Sequence, residues 1–223
     1  MLVNTSITHS AQEVYDLVKG LSVGKNALNE PTGDFFYDPW VIKSKYQGSS
    51  LDKLLQKLPD AGEARINVLA PGESYMAHAD IDDRYHLNLN GDYSYLIDLS
   101  TNTMHPLEVD NKVYLMDTSR IHTASNYGYK NRHQLVIRKL LKNAALVEKV
   151  KVRLEAIEDR YNLRYLFDNS FSIALNKLNK ENYLSGFKKI SDAVIEFEVE
   201  SDKLDTIEQC RAECGFRTNL TFC

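Results

Sequence analysis

A chain of 223 residues with 43% apolar content can bury one substantial core and has no need of disulfide stapling. Its formal charge is −4 and its pI about 5.9, and the 27 Lys and Arg residues are scattered without a stripe or basic tail, so no nucleic-acid footprint is expected. No apolar run of about 18 residues occurs, and the first residues lack a basic segment followed by an apolar one, so the expectation is a soluble, cytoplasmic protein that does not bind membranes.

In chain order, SAQEVYDLVKGL (10–21) sets apolar positions at helical spacing behind Ser10, a side chain suited to capping a first turn. SSLDKLLQKLP (49–59) repeats the pattern with Leu51, Leu54, Leu55 and Leu58 before Pro59 stops it, so two short helices are expected. Between them, NEPTGDFFYDPWVIKSKYQG is aromatic and broken by Pro31 and Pro39, as either a packing loop or a cover over one end of a barrel would be. From 63 to 139 the text changes. EARINVLA, SYMAHAD, RYHLNLN, YSYLIDLS, KVYLMDTS and HQLVIRK are short β-favouring segments divided by Pro-Gly, Asn-Gly-Asp, Asp-Asn and Tyr-Gly-Tyr turns. Strands at this density, with no long helices between them, point to a sandwich, jelly roll or barrel.

After 140, Val147, Val150, Leu154, Ile157, Tyr161 and Tyr165 step by three and four, with Glu148, Lys149, Lys151, Glu155 and Glu158 on the other face, which predicts one long helix. A helical piece over about 173–185, a strand in DAVIEFEVE, a capped helix with a glycine stop in SDKLDTIEQCRAECG and a strand in FRTNLTFC would complete a small α/β appendage. Cys210, Cys214 and Cys223 are confined to this tail and are expected to be ordinary thiols.

The stretch HADIDDRYH (78–86) crowds His78 and His86 among Asp80, Asp82 and Asp83. On a strand, His78 and Asp80 project to one face while Ala77 and Ala79 face the other, so an imidazole and a carboxylate could hold adjacent corners of one metal ion. His122, in MDTSRIHTASN at the end of the fifth β segment, could supply a third ligand. Two histidines and one carboxylate make the facial triad of non-haem Fe(II) oxygenases, although Zn(II) also accepts that set, and a solvated acidic turn beside unrelated histidines is the plainer alternative. Arg132, ten residues beyond His122, could stand on the strand paired beside the one carrying His122. Held deep in a β structure it would need an anion, and a dicarboxylate chelating the metal by a 2-keto acid at its other end would provide one. Arg84, His86 and Asn88 should share one face of the next strand, opposite Tyr85, Leu87 and Leu89.

Together, ARINVLAPGESYMAHADIDDRYHLNL and NKVYLMDTSRIHTASNYGYKNRHQLVIRK resemble the aspartyl/asparaginyl β-hydroxylase and proline hydroxylase branch of the 2-oxoglutarate, Fe(II)-dependent dioxygenases. The resemblance covers about residues 63 to 139. It rests on the ordered set of a Pro-Gly turn, H-x-D, R-x-H-L-x-L, D-x-x-x-x-H and the later arginine. It implies a double-stranded β-helix (a jelly roll, cupin-like) with flanking helices, with 1–142 as the oxygenase core and N-terminal helices and 143–223 as a helical and α/β extension. It further implies His78, Asp80 and His122 as iron ligands, Arg132 as partner of the 2-oxoglutarate C5 carboxylate, and His86 and Arg84 near the co-substrate or the prime substrate. The implied reaction hydroxylates an unactivated carbon of an amino acid or peptidyl side chain, of proline or Asp/Asn type, and releases succinate and CO2. The acidic ligand Asp80, often lacking in the aspartyl/asparaginyl β-hydroxylases, brings the chain closer to the proline hydroxylase pattern. The extension falls outside the resemblance and could cap the barrel, form a dimer face or select substrate.

Asn126, four residues after His122, could touch co-substrate or substrate, or could be a turn residue before Gly128. Arg65 and Asn67 share one strand face, inward or exposed; Arg138 shares the parity of Arg132 but is expected at a solvated strand end. His105 suits a turn, His133 faces away from Arg132, and Tyr93, Tyr95 and Tyr114 suit packing. The competing functions are a cupin-like metal-dependent isomerase or hydrolase and a non-catalytic β-sandwich that binds carbohydrate or peptide.

Overall fold

The computed structural model describes residues 2–156, 170–191, 193–213 and 218–222. Among these the chain is mainly β, arranged in four sheets with flanking helices. The largest sheet has six strands: β1 (Leu2–Thr8), β2 (Gly24–Ala27), β5 (Ala61–Leu69), β6 (Arg84–Asn90), β9 (Lys112–Met116) and β11 (Arg132–Lys139), in the order β1-β9-β6-β11-β5-β2. A three-stranded sheet has β7 (Ser94–Asp98) between β10 (His122–Asn126) and β8 (Thr103–Pro106). β3 (Asn29–Pro31) and β4 (Trp40–Ile42) form a hairpin within the aromatic stretch.

Strand alternation divides the six-stranded sheet into an apolar face and a polar one. Ala64, Ile66 and Val68 of β5, Tyr85, Leu87 and Leu89 of β6, and Leu135 and Ile137 of β11 are buried on one face. The two N-terminal helices cover it. α1 (Ala11–Val18) is capped by Ser10, whose side chain accepts the Glu13 amide, and α2 (Ser50–Leu55) by Ser49, which accepts the Asp52 amide; each cap stabilises its helix by about 1 kcal/mol. Val14, Val18, Leu51 and Leu54 pack into the sheet from these helices. The residues between, Arg65, Asn67, Arg84, His86, Gln134 and Val136, turn to the other side and line a cavity whose far wall comes from Leu96, His122 and Ala124 of the smaller sheet. No strand pairing joins the two sheets among the described residues.

The C-terminal portion differs from the expected long helix. Residues Lys149–Ala156 form a strand, β12, with Val152 and Leu154 buried and Lys149, Lys151 and Glu155 exposed. The three- and four-residue spacing counted apolar positions correctly but missed that KVKVRLEA also alternates every second residue and carries β-branched valines, which favour the extended chain. The positions Ile157, Glu158, Tyr161 and Tyr165 lie outside the described residues. β13 (Leu184–Lys189), β14 (Val194–Glu200), β12 and β15 (Thr218–Phe222) make a sheet in the order β13-β14-β12-β15, with α3 (Ser170–Lys180) and α4 (Leu204–Glu213); the helix expected over about 173–185 thus ends at Lys180, and Leu184 and Ser185 belong to β13. Its core of Phe171, Leu175, Phe187, Phe197 and Ile207 also takes in Phe36 and Leu141, so the aromatic stretch packs against this appendage. Cys210 is buried there; Cys214, Cys223 and the Gly215 stop lie outside the described residues.

Three other expectations in the β region change. SYMAHAD forms isolated bridges, Ser74 with Ser125 and His78 with His122, rather than a regular strand. His122 opens β10 instead of ending the fifth segment, and His105 lies in β8. Arg132 stands on a strand paired with β5 and β6 in the larger sheet, so it lies in a different sheet from His122 instead of on a strand paired beside it.

Candidate metal centre and anion pocket

Backbone pairing brings the two distant histidines together. The His78 amide donates to the His122 carbonyl at 2.9 Å and the His122 amide returns the bond at 2.8 Å, while the Asp80 amide donates to Thr118 O at 2.9 Å. The rings then stand with centroids 4.5 Å apart, and His78, Asp80 and His122 offer ligand atoms that lie within 4.8 Å of one another. Asp80 Oδ2 is 3.6 Å from His78 Nε2 and 3.9 Å from His122 Nε2. Ligand atoms ~2.1 Å from a shared ion at right angles stand roughly 3 Å apart, so a small inward movement of the side chains completes the set.

The donor chemistry fits a cation. His78 Nδ1 donates to Met76 O and His122 Nδ1 to Arg120 O, each at 2.8 Å, which leaves both Nε2 lone pairs directed at the shared point. Arg84 Nη2 donates to Asp80 Oδ1 at 2.8 Å and leaves Oδ2 available. Burial works against the Asp80 charge, but Arg84, aided by both histidines, holds its carboxyl well below the ordinary range. Burial also lowers His122 to about 4, so its imidazole is neutral at physiological pH, as a ligand must be.

Several residues outside the sequence reading hold this arrangement. Arg120, whose carbonyl fixes the His122 ring, is anchored by an ion pair from its Nη1 to the buried Asp98 Oδ2 at 3.0 Å. From the appendage, Asn176 Nδ2 donates to Asp80 O and to Asp83 Oδ1, each at 3.3 Å. Lys180 Nζ bridges Asp83 Oδ1 at 3.0 Å and Asp117 Oδ1 at 2.9 Å. α3 therefore ties the loop carrying Asp80 to the loop leading into His122. The acidic turn is not simply solvated: Asp82 is 2% exposed and paired with Arg84 and Arg138. This also corrects the expected solvation of Arg138, whose Nη2 lies 3.0 Å from Asp82 Oδ1 with its guanidinium over the Phe35 and Phe36 rings.

The cavity beside the triad measures about 520 Å³, counting the part open to solvent. Arg65 and Arg84, which line it, each keep a buried Nε without a hydrogen-bond partner. Arg132 is 1% exposed and none of Nε, Nη1 and Nη2 has a hydrogen-bond partner. Its guanidinium carbon stands 5.8 Å from the centre of the ring of Tyr75, a cavity-lining side chain that interacts favourably with the guanidinium. An unpaired buried charge costs several kcal/mol, and burial accordingly lowers the Arg132 pKa. His86 Nε2 is also without a partner, and burial pushes this imidazole down to about 3. Arg84 and His86 thus share the cavity face as expected, with Arg84 directed mainly to Asp80 and Asp82.

Asn126 is not brought to the cavity. Its Nδ2 donates to Leu69 O and Lys130 O, each at 2.9 Å, and its Oδ1 accepts the Gly128 amide at 3.0 Å. The turn role is the one its bonds support. Lys25, Tyr75 and Gln134 line the cavity without having been singled out; Gln134 alone had a legible signal, the parity it shares with Arg132.

No family model and no curated protein matches the chain. Among solved structures it is similar to one described as "Crystal structure of CapF with inhibitor 3-isopropenyl-tropolone", at 13% identity and a TM-score of 0.32. The match covers 51% of this chain and 30% of that one, so the chain spans under a third of that protein's length.

Proposed function

We propose that the protein is an Fe(II)- and 2-oxoglutarate-dependent dioxygenase, with a double-stranded β-helix core in residues 1–142 and residues 143–223 as an extension. In this reading it hydroxylates an unactivated carbon of an amino acid or peptidyl side chain. His78, Asp80 and His122 would hold the iron, leaving the remaining coordination positions open. Arg132 would take the far carboxylate of 2-oxoglutarate in a two-pronged bond, and neutral His86 would offer it a further hydrogen bond without adding charge. When bound, iron and co-substrate supply the activation of dioxygen, with succinate and CO2 released and a hydroxyl left on the substrate. The chain's part is to orient the imidazoles, keep the Asp80 carboxylate ionised and exclude water from the apolar wall of Leu96, Met116, Ala124 and Val136.

The observation that carries this reading is the Arg132 guanidinium, buried and without a hydrogen-bond partner, beside Tyr75, which lines the same cavity as the triad. A metal-dependent isomerase or hydrolase would use the same three ligands but gives no reason to hold an unpaired arginine there. The test is anaerobic reconstitution with Fe(II) and 2-oxoglutarate followed by admission of O2. Succinate formed by the native protein and not by His78→Ala is expected; no succinate with any of the free or peptidyl Pro, Asp and Asn acceptors would reject the assignment.

A further inference from the structure

Arg65 is a second cation on the cavity wall, apart from the one assigned to the co-substrate. It stands on β5 in register with Val136, whereas Arg132 stands opposite Leu69, roughly 13 Å further along the strands. Both act on Tyr75 and His86, but their other neighbours differ. Arg132 interacts with Tyr75, while Arg65 lies among Arg84, Glu63, Arg138 and Asp80. The Arg65 side chain is 13% exposed and lines the cavity. Its Nη1 reaches Glu63 Oε2 at 3.1 Å, but its Nε is buried without a partner. Two residues along the same face, Asn67 Oδ1 is likewise without one.

The printed ion pairs join Arg65 to Glu63, Arg84 to Asp80 and Asp82, and Arg138 to Asp82, and that network leaves the buried Nε of Arg65 and of Arg84 without a hydrogen-bond partner.

We infer that the Nε edge of Arg65 is the carboxylate-binding subsite for the prime substrate, which is a small free carboxylic acid of the α-amino acid class rather than a residue within a peptide. This rests on the oxygenase reading for the identity of the site. The carboxylate would accept from Arg65, and the unmatched Asn67 oxygen would accept from the amino group. A mid-chain residue has neither a free α-carboxylate nor an α-amino group to offer and would leave the Arg65 Nε edge and the Asn67 oxygen unmet.

The test is calorimetric titration of the full-length protein loaded with Mn(II), with and without 2-oxoglutarate. The probes are the free proteinogenic amino acids, their carboxamides, and N-acetylated, C-amidated forms. At least one free acid should bind on the order of 100-fold more tightly than its carboxamide. Arg65→Met should collapse that ratio to within a few-fold, and Arg65→Lys should retain a measurable part of it, which separates loss of charge from loss of fold. Equal binding of acid and carboxamide, binding by blocked forms alone, binding by no free acid, or an undiminished ratio in R65M would overturn the inference. Succinate formation is followed in parallel. Its absence beside a preserved acid preference would strike the oxygenase reading and leave this subsite standing, and the reverse result would do the opposite.

Discussion

Arg132 carries more consequence than any other side chain because its three nitrogens are buried without a hydrogen-bond partner, a cost that an anionic ligand would offset. Replacing it with methionine keeps most of the volume and removes an unpaired buried charge. The ligand-free Arg132→Met protein should therefore melt no lower than the native one, and by a few degrees higher if the site stays packed. Its 2-oxoglutarate affinity should fall by about 30-fold or more. A structural arginine would give the opposite pairing, a lower melting temperature with unchanged co-substrate binding. At the triad, His78→Ala or His122→Ala should each weaken divalent-metal binding by more than about 100-fold in an equilibrium titration, since each removes a ligand rather than a residue behind one. The triad was legible because spacing two apart places His78 and Asp80 on one side whether the segment is a regular strand or a bridged one. For Asn126, left open between a ligand contact and a turn residue, four-residue proximity to His122 says nothing of the carbonyls at Leu69 and Lys130 that occupy its amide.

Among the elements, α3 and the β6–β7 turn act on the site from outside it. Asn176 reaches the Asp80 carbonyl across 96 positions of sequence, a contact that no local pattern can announce. Asn176→Ala should loosen metal binding by about 10-fold with only a small change in melting temperature, because it frees the ligand loop without opening a large cavity. A loss of metal affinity that merely tracks loss of fold would argue against this positioning role. Gly91, between β6 and β7, has φ +136, and a Cβ there would stand 2.9 Å from Arg132 Cγ. Gly91→Ala should thus both strain the turn and displace the Arg132 stem, lowering 2-oxoglutarate affinity several-fold while the metal titration stays near native. Within residues 61–139, the strands β5, β6, β7, β9 and β11 were readable from alternation and turns. The short edge strands β1, β2, β8 and β10 were not, since four- to seven-residue polar segments owe their extension to the neighbour they pair with. The strand β12 was read as a helix because its apolar residues satisfy both periods.

Over the whole molecule, one sheet separates an apolar core under the N-terminal helices from a polar cavity, and that division sets the response to acid. His86 and His122, lowered to about 3 and about 4, are neutral when folded, whereas the unfolded chain takes up their protons below about 6.5. Their contribution is therefore fully present above about pH 6.5 and is lost as the pH falls toward 3. Asp80 and Asp82, held below the ordinary carboxylate range, add to the loss below about pH 4. The urea midpoint of the metal-free protein should fall continuously from pH 7 to pH 4, and His86→Gln should flatten part of that slope; a midpoint constant over this range would contradict the burial of neutral imidazoles. The most direct measurement of the central claim is an anaerobic crystal structure grown with Mn(II) and 2-oxoglutarate. The expected result is one ion bound by His78 Nε2, Asp80 Oδ2 and His122 Nε2 at about 2.0–2.3 Å, with the far carboxylate of the co-substrate held in two-pronged fashion by Arg132. An ion bound elsewhere, or a co-substrate whose far carboxylate leaves Arg132 without a partner, would contradict it.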